Sequence, residues 1–239
     1  MSPRLLRITV GGDALAGFAL AEPAASVRLL IPEPGAPLVV PSWNGNEFLL
    51  PDGSRPTIRT YTPRRFDADA LELDLDVVLH EAGAVPRWAT GAEIGTVAAV
   101  SGPGRGYAID PAARSFVLAG DESAVPAISQ LLEQLPVDAE VLVLLEAADP
   151  GARHELPPHP RATVRWHDAP TGSLPGSALF DAVAAADLSD ARVWAAGEAA
   201  AMQRIRRVLF DERGITRSAA VVRGYWKTGR RGDADEPVR

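Results

Sequence analysis

Arg59, Thr60, Tyr61, Thr62, Pro63 and Arg64 follow one another in a segment that reads as a β-strand. Side chains at every second position of a strand share a face, so Arg59, Tyr61 and Pro63 are expected on one side and Thr60, Thr62 and Arg64 on the other. An arginine offers a planar fork to a pyrophosphate. An aromatic ring offers a stacking surface, and a threonine adds a hydroxyl or backbone N–H near a redox-active edge. These are the groups that a flavin needs. An ordinary barrel strand with cross-strand polar pairs would carry the same residues, so the segment alone leaves both readings open.

Two kinds of pattern must position such a segment. Through about residue 112 the signals are those of strands: LRITVGG, SVRLLIP, TIRTYTP, LELDLDVVLH and EIGTVAAVSGP, divided by Gly, Pro, Asp and Asn clusters. Alternation from Leu71 to Val78 is nearly strict, with acids outward and aliphatics inward. The pattern predicts an antiparallel β-barrel over residues 1–112. From about Arg114 apolar strands are followed by helical periods: SFVLAG with ESAVPAISQLLEQL, then EVLVLLEA, ATVRWH, SALFDAVAAADL, RVWAAG with EAAAMQRIRRVLFDERG, and SAAVVRGYW. Strands alternating with helices predict an α/β domain with a doubly wound parallel sheet over residues 113–239. The closing RRGDADEPVR reads as a solvated, frayed tail.

At 239 residues and 46% hydrophobic content the chain can bury a sizeable core. The absence of cysteine excludes disulfides, thiolate nucleophiles and cysteine-held iron–sulfur clusters. Electron chemistry would have to be borrowed from an organic cofactor. A net charge of −7, from 31 acids against 24 bases, argues against nucleic acid or an anionic membrane as the main partner. Lys227 is the single lysine among those bases. No stretch approaches the roughly 20 apolar residues that span a bilayer, and MSPRLLRITVGG passes directly into strand-like alternation, so a cytoplasmic protein without membrane insertion is expected. Ser123 and Ser177 lack the His and acid pattern of a hydrolase, and His154, His159 and His167 have no metal-ligand spacing.

Six segments, taken in order, resemble the siderophore-interacting protein family of flavin-dependent ferric-siderophore reductases. They are NGNEFLLPDGSRPTIRTYTPRR (Asn44 to Arg65), LHEAGAVPRWA (Leu79 to Ala89), GPGRGY (Gly102 to Tyr107), LAGDESAVPAI (Leu118 to Ile128), WAAGEAAAMQRIRRVL (Trp194 to Leu209) and YWKTGRRG (Tyr225 to Gly232). The first and last are specific; the short glycine motifs are weak singly. The resemblance implies a ferredoxin-reductase-like plan, with FAD in the barrel and NADPH or NADH at the α/β domain. Electrons would pass through the flavin to Fe(III) in a bound ferric siderophore. A ferredoxin as electron donor stays open, as do a general flavin reductase and a non-enzymatic siderophore or flavin binder.

The resemblance also implies roles for residues. Arg59, Thr60, Tyr61 and Thr62 would hold the flavin, with Thr62 at its reactive edge, and Val78 and His80 would flank it at the end of the next long strand. In LHEAGAVPRWATG a tight turn at Gly83 precedes a short helix in which Pro86 suits the first position. The N–H groups of that helix start, from Gly83 through Arg87, Trp88 and Ala89, would meet the pyrophosphate. Family members commonly read Gly-Pro-Ala-Ser-x-Trp-Ala here, whereas this chain has Pro86 where the small hydroxyl stands. Proline deletes one N–H donor, for which Arg87 could compensate. GPGRG reads as a turn beside the cofactor, with a role in shape.

For the dinucleotide, Gly120, Asp121 and Glu122 lie where a strand from Ser115 to Ala119 meets a helix, at a carboxyl edge of the kind that binds ligands in open α/β sheets. Asp121 reads equally as a helix N-cap. Gly197 would let a nicotinamide approach, and Glu198 starts the next helix. Glu146, at the end of EVLVLLEA, favours a ribose 2′-hydroxyl, while Arg153 and His154 behind it could accept a 2′-phosphate; the resemblance tips the choice toward NADPH. In YWKTGRR, the cations Lys227, Arg230 and Arg231 would attract an anionic ferric siderophore, and the resemblance gives Lys227 a part in turnover.

Overall fold

The computed structural model describes residues 4–79, 83–148 and 150–229. His80, Arg230 and Arg231, with the rest of the RRGDADEPVR tail, lie outside the described residues. Two compact units divide the chain, one running from Leu6 to Gly106 and the other from Tyr107 to Gly229 together with Arg4 and Leu5.

The first unit contains, in chain order, β1 (Leu5–Gly11), β2 (Val27–Leu30), β3 (Ser42–Trp43), β4 (Phe48–Leu49), β5 (Ile58–Tyr61), β6 (Pro63–Asp67), β7 (Glu72–Val78), helix α1 (Ala84–Gly91) and β8 (Ala99–Val100). Two three-stranded sheets, β1-β7-β6 and β5-β2-β8, accompany the small β3-β4 hairpin, and the pairings β2–β5, β2–β8 and β6–β7 are antiparallel. Alternation buries one face of each strand. Val27, Leu29, Leu73, Leu75, Val77 and Val85 form the core between them. Outward acids do not hold throughout β7, because Asp76 is 6% exposed. Its charge is tolerated there because Arg7 grips both oxygens, from Nε at 2.7 Å and Nη2 at 2.9 Å. In GPGRG a side chain at Gly106 would come within 2.7 Å of the Pro23 carbonyl oxygen, and the Gly104 N–H donates to the Ser26 carbonyl at 2.6 Å.

The second unit runs β9 (Ser115–Asp121), α2 (Val125–Gln134), β10 (Glu140–Ala147), β11 (Ala162–Asp168), α3 (Ser177–Ala185), β12 (Arg192–Glu198), α4 (Ala199–Arg207) and β13 (Ala220–Trp226). Its five strands are parallel in the order β11-β10-β9-β12-β13. Near-continuous burial of β9 and β12 fits strands covered on both faces. Val117 and Ala119 of β9 pack into the cluster that holds Leu179 of α3 and Met202 and Ile205 of α4. Gly120 turns the other way, where a side chain would run into Ala124 and come within 3.4 Å of Ile128 on α2. The sheet is therefore doubly wound. Its order reverses between β9 and β12, and this switch point is where open α/β sheets form their ligand crevice.

Candidate functional site

The Arg59-to-Arg64 run is two strands rather than one. β5 ends at Tyr61 and β6 starts at Pro63 in the other sheet, so the expected common face of Arg59, Tyr61 and Pro63 is broken at Thr62. Proline explains the break, since it has no N–H for a ladder and suits the first residue of a strand. Within β5, Arg59 and Tyr61 share a face and are both half-buried, while Thr60 is exposed. Thr62, at the crossover, is only 6% exposed. Arg59 donates from Nη1 to its neighbour's carbonyl, Ile58 O, at 2.7 Å. Burial pushes the Tyr61 hydroxyl up to about 12 against the opposing pull of the Arg59 charge, so this tyrosine is a neutral aromatic wall.

α1 starts at Ala84, with Gly83 as its N-cap, so Pro86 stands at the third position rather than the first. A proline there breaks no helical hydrogen bond, because the first-turn N–H groups have no intrahelical acceptor. Its N-cap, Gly83, has no side chain to accept from the first turn, and among the described residues no acid lies in that turn. Arg87 is exposed and Ala89 half-buried. Trp88, like Tyr61, packs on the core that also takes in Val77, and its indole Nε1 is a buried donor with no hydrogen-bond partner among the described residues. Val78, closing β7, is half-buried. A helix start with a glycine N-cap, a half-buried guanidinium and a buried indole N–H without a described partner suit an anionic, aromatic cofactor. The residues present fit FAD.

At the carboxyl edge of the parallel sheet the same kinds of N–H group already have acceptors. β9 extends two residues past Ala119, and a 3-10 turn (Glu122–Ala124) precedes α2. Asp121 caps that turn: its Oδ1 accepts from Ser123 N at 2.9 Å and from Ser123 Oγ at 2.5 Å. Its Oδ2 reaches across the switch point to Glu198 N at 2.9 Å and Trp226 Nε1 at 2.8 Å. Burial pushes the Asp121 carboxyl up, while these donors pull it back toward the charged form. Glu198 caps α4 through Oε2, which accepts from Ala200 N and Ala201 N at 2.6 and 2.9 Å. Glu122 accepts from Ala148 N at 2.7 Å.

Glu146 corrects the ribose expectation. It is 4% exposed, and its two oxygens accept from Gly176 N at 2.6 Å and Leu179 N at 2.9 Å, finishing the start of α3 from a different strand. Arg153 is likewise engaged, with Asp168 at 2.6 Å. Gly197, at φ 156, is needed for an internal neighbour, because a side chain there would lie 2.6 Å from Asp121 Oδ2.

The structure thus brings Gly120, Asp121, Gly197 and Glu198 together at the switch point, and adds Trp226. Trp226 escaped the sequence reading as a polar partner because nothing local links it to Asp121, 105 residues away. Lys227 follows it, exposed. A cleft of about 420 Å³ beside Asp110 and Arg192 lies at the opposite, amino edge of the strands, away from all these groups. Among the described residues no group of His, Cys, Asp or Glu could hold a metal ion, and no helix is long and apolar enough to cross a membrane.

Comparison with known proteins accords with this division. Residues 1–107 match the siderophore-interacting FAD-binding domain and residues 113–229 match the siderophore-interacting protein model. The ferric vibriobactin reductase ViuB of Vibrio cholerae is 30% identical over 242 residues, covering 98% of this chain and 88% of that protein. A siderophore utilization protein from T. fusca superposes with a TM-score of 0.82 at 34% identity, over 97% of this chain and 90% of that one. The ferredoxin reductase of carbazole 1,9a-dioxygenase shares the fold, with a TM-score of 0.65 at 14% identity over 94% of this chain and 66% of that one. Antiparallel sheets followed by a five-stranded parallel sheet are the ferredoxin-reductase-like plan, and the chain belongs to the siderophore-interacting protein family.

Proposed function

We propose that this protein is a cytoplasmic, FAD-dependent ferric-siderophore reductase, drawing electrons from NAD(P)H and delivering them to Fe(III) in a bound siderophore to release Fe(II). The FAD-binding part is residues 1–112 and the NAD(P)H-binding part residues 113–239. The observation that carries this reading is the start of α1, which among the described residues has a glycine N-cap and no acid in its first turn, in a unit that also offers half-buried Arg59 and the buried indole N–H of Trp88.

Bound FAD supplies the link between a two-electron donor and a one-electron acceptor. The chain's own residues bind and orient. Arg59 takes the pyrophosphate charge, joined by the N–H groups of Gly83, Ala84 and Val85; Pro86 contributes none. Tyr61 and Trp88 wall the ring system, Val78 packs beside it, and Thr60 and Thr62 offer hydroxyls, Thr62 at the reactive edge. His80, Arg230 and Arg231 keep the roles the family resemblance gives them. Lys227 attracts the anionic ferric complex on an otherwise acidic protein.

At the α/β unit, Gly120, Asp121, Glu122, Gly197 and Glu198 would meet the nucleotide through backbone and shape, since the carboxylates of the three acids already accept internal N–H groups. That arrangement supports a nucleotide that visits rather than resides, with a KM in the upper part of the usual range of about 1 μM to 1 mM. Arg153, in a half-exposed pair with Asp168, is available to a 2′-phosphate at little cost, which favours NADPH over NADH. Because these carboxylates are already engaged and offer a nucleotide no free side chain, a donor other than NAD(P)H, such as a ferredoxin, is the second reading. Iron release is the test: wild-type protein with FAD, NADPH and a ferric siderophore should produce Fe(II) trapped by a ferrous chelator, and Lys227→Ala should lower that rate while retaining FAD. No Fe(II) with NADPH, NADH or reduced ferredoxin would reject the reductase reading.

A further inference from the structure

Resting on the reading of Lys227 as the siderophore's cationic contact, we propose that Asp121 and Trp226 are positioning residues that hold Lys227 in place. The ladder between β12 and β13 is regular from Val193↔Ala220 to Gly197↔Gly224 and then shifts, so that Glu198 faces Trp226 and Tyr225 is the extra residue. A bulge of this kind re-aims the residues beyond it. β13 ends at Trp226, and sheet pairing carries no further.

From that point side chains replace the ladder. The Trp226 indole N–H donates to Asp121 at 2.8 Å, and the Thr228 N–H donates to Glu198 Oε1 at 3.2 Å. Lys227 is bracketed by these two ties. Upstream, the Tyr225 ring packs edge-on against Trp194, with centroids 6.3 Å apart, and Trp194 is fully buried. Both carboxylates are themselves fixed. Asp121 accepts four hydrogen bonds, from Ser123 N, Ser123 Oγ, Glu198 N and Trp226 Nε1, which fills the acceptor capacity of a carboxylate. Glu198 is held by the start of α4. Gly197 leaves room for Asp121 Oδ2 to make the crossing.

A lysine on a flexible four-carbon stem gains from a fixed backbone, because less entropy is lost when it meets an anion. The network therefore does at the switch point what a ligand would do elsewhere: it ties β9, β12 and the end of β13 together, and its output is the place of one cation.

Lys227 is the only lysine, so protein labelled with heavy-nitrogen lysine gives a single backbone amide signal that reports this position without any assay of activity. Trp226→Phe keeps a ring at a position that is 41% exposed and removes only the donor. It should lower the heteronuclear Overhauser effect of the Lys227 amide. Its KM for ferric enterobactin, an anionic tris-catecholate, should rise about fivefold, the equivalent of one hydrogen bond, with kcat and FAD content held. Asp121→Asn should loosen the Lys227 amide more strongly. An unchanged Lys227 amide in Trp226→Phe overturns the proposal. So does a loosened amide with KM unchanged while Lys227→Ala raises it, since order at Lys227 is then not used. If Lys227→Ala leaves KM unchanged, the siderophore contact itself is wrong, and that failure is visible whatever the amide shows.

Discussion

Helices α1 and α4 both follow a strand of the sequence, yet their first turns are finished differently. The carboxylate of Glu198 accepts from two N–H groups of α4, whereas Gly83 offers α1 no side-chain cap. Asp121 and Glu146 serve the starts of α2's leading turn and α3 in the same way as Glu198. Among the described residues, internal acids finish the helix starts of the second unit by accepting from their N–H groups, and none finishes α1, the α-helix of the first. An anionic cofactor competes with a carboxylate for such groups. The contrast fits the FAD-binding domain matched over the first unit, and the function proposed above has the second bind its partners by shape, backbone and the cation at Lys227.

The largest expected break in this contrast is Arg59→Ala, which should weaken FAD affinity roughly 30-fold, as for a lost charge-assisted contact of about 2 kcal/mol. Flavin fluorescence titration of the apoprotein measures it, and FAD retained at wild-type affinity would count against the assignment. Glu146→Ala tests the other side. Uncapping α3 and leaving two buried N–H groups unpaired should remove about 2 kcal/mol of stability in denaturant unfolding, with FAD content unchanged; a loss of NAD(P)H turnover without a loss of stability would return Glu146 to ribose recognition.

A smaller effect converts one rule into the other. Gly83→Asp gives α1 the acid cap its counterparts have, and should lower FAD affinity about fivefold without lowering thermal stability. Tighter FAD binding in this variant would contradict the role of the α1 start.

The smallest effect is on pH dependence. The Arg192 guanidinium holds the half-exposed Asp110 carboxyl below its ordinary range, so that pair's contribution is present above the ordinary value and fades as pH falls through the lowered one. Asp121 runs the other way. Burial raises its carboxyl, so the folded state holds a proton longer and the contribution declines as pH rises from the ordinary value through the raised one. Asp121→Asn should flatten that decline in unfolding curves taken from the ordinary carboxylate range upward, whereas Arg192→Ala should soften the acid limb alone.

The fold was legible where burial alone sets the pattern. Leu73, Leu75 and Val77 follow the alternation of β7 into the core, and the long apolar strands of the second unit give its parallel sheet. Polar residues whose partners are remote in sequence were less legible. Asp76 looks outward by alternation but is held by Arg7, 69 positions away, and Glu146 looks like a ribose acceptor until α3 arrives 30 positions later. Asp121 was readable as a cap because its partner Ser123 is adjacent, while its bond to Trp226 had no local signal. The split of the Arg59 segment was within reach, since Pro63 cannot continue a ladder. Family resemblance supplied the cofactor; periodicity could not, because a half-buried arginine and tyrosine on one strand face serve a plain barrel equally well.

The most direct test of the account is one anaerobic titration of the purified protein with FAD bound, followed by visible absorbance. NADPH should bleach the flavin bands, and a ferric siderophore added afterwards should restore them with Fe(II) appearing in step. Flavin that bleaches and stays bleached in the presence of the ferric siderophore would contradict the reductase, and a protein that cannot be reconstituted with FAD would contradict the assignment of the anion site to the first unit.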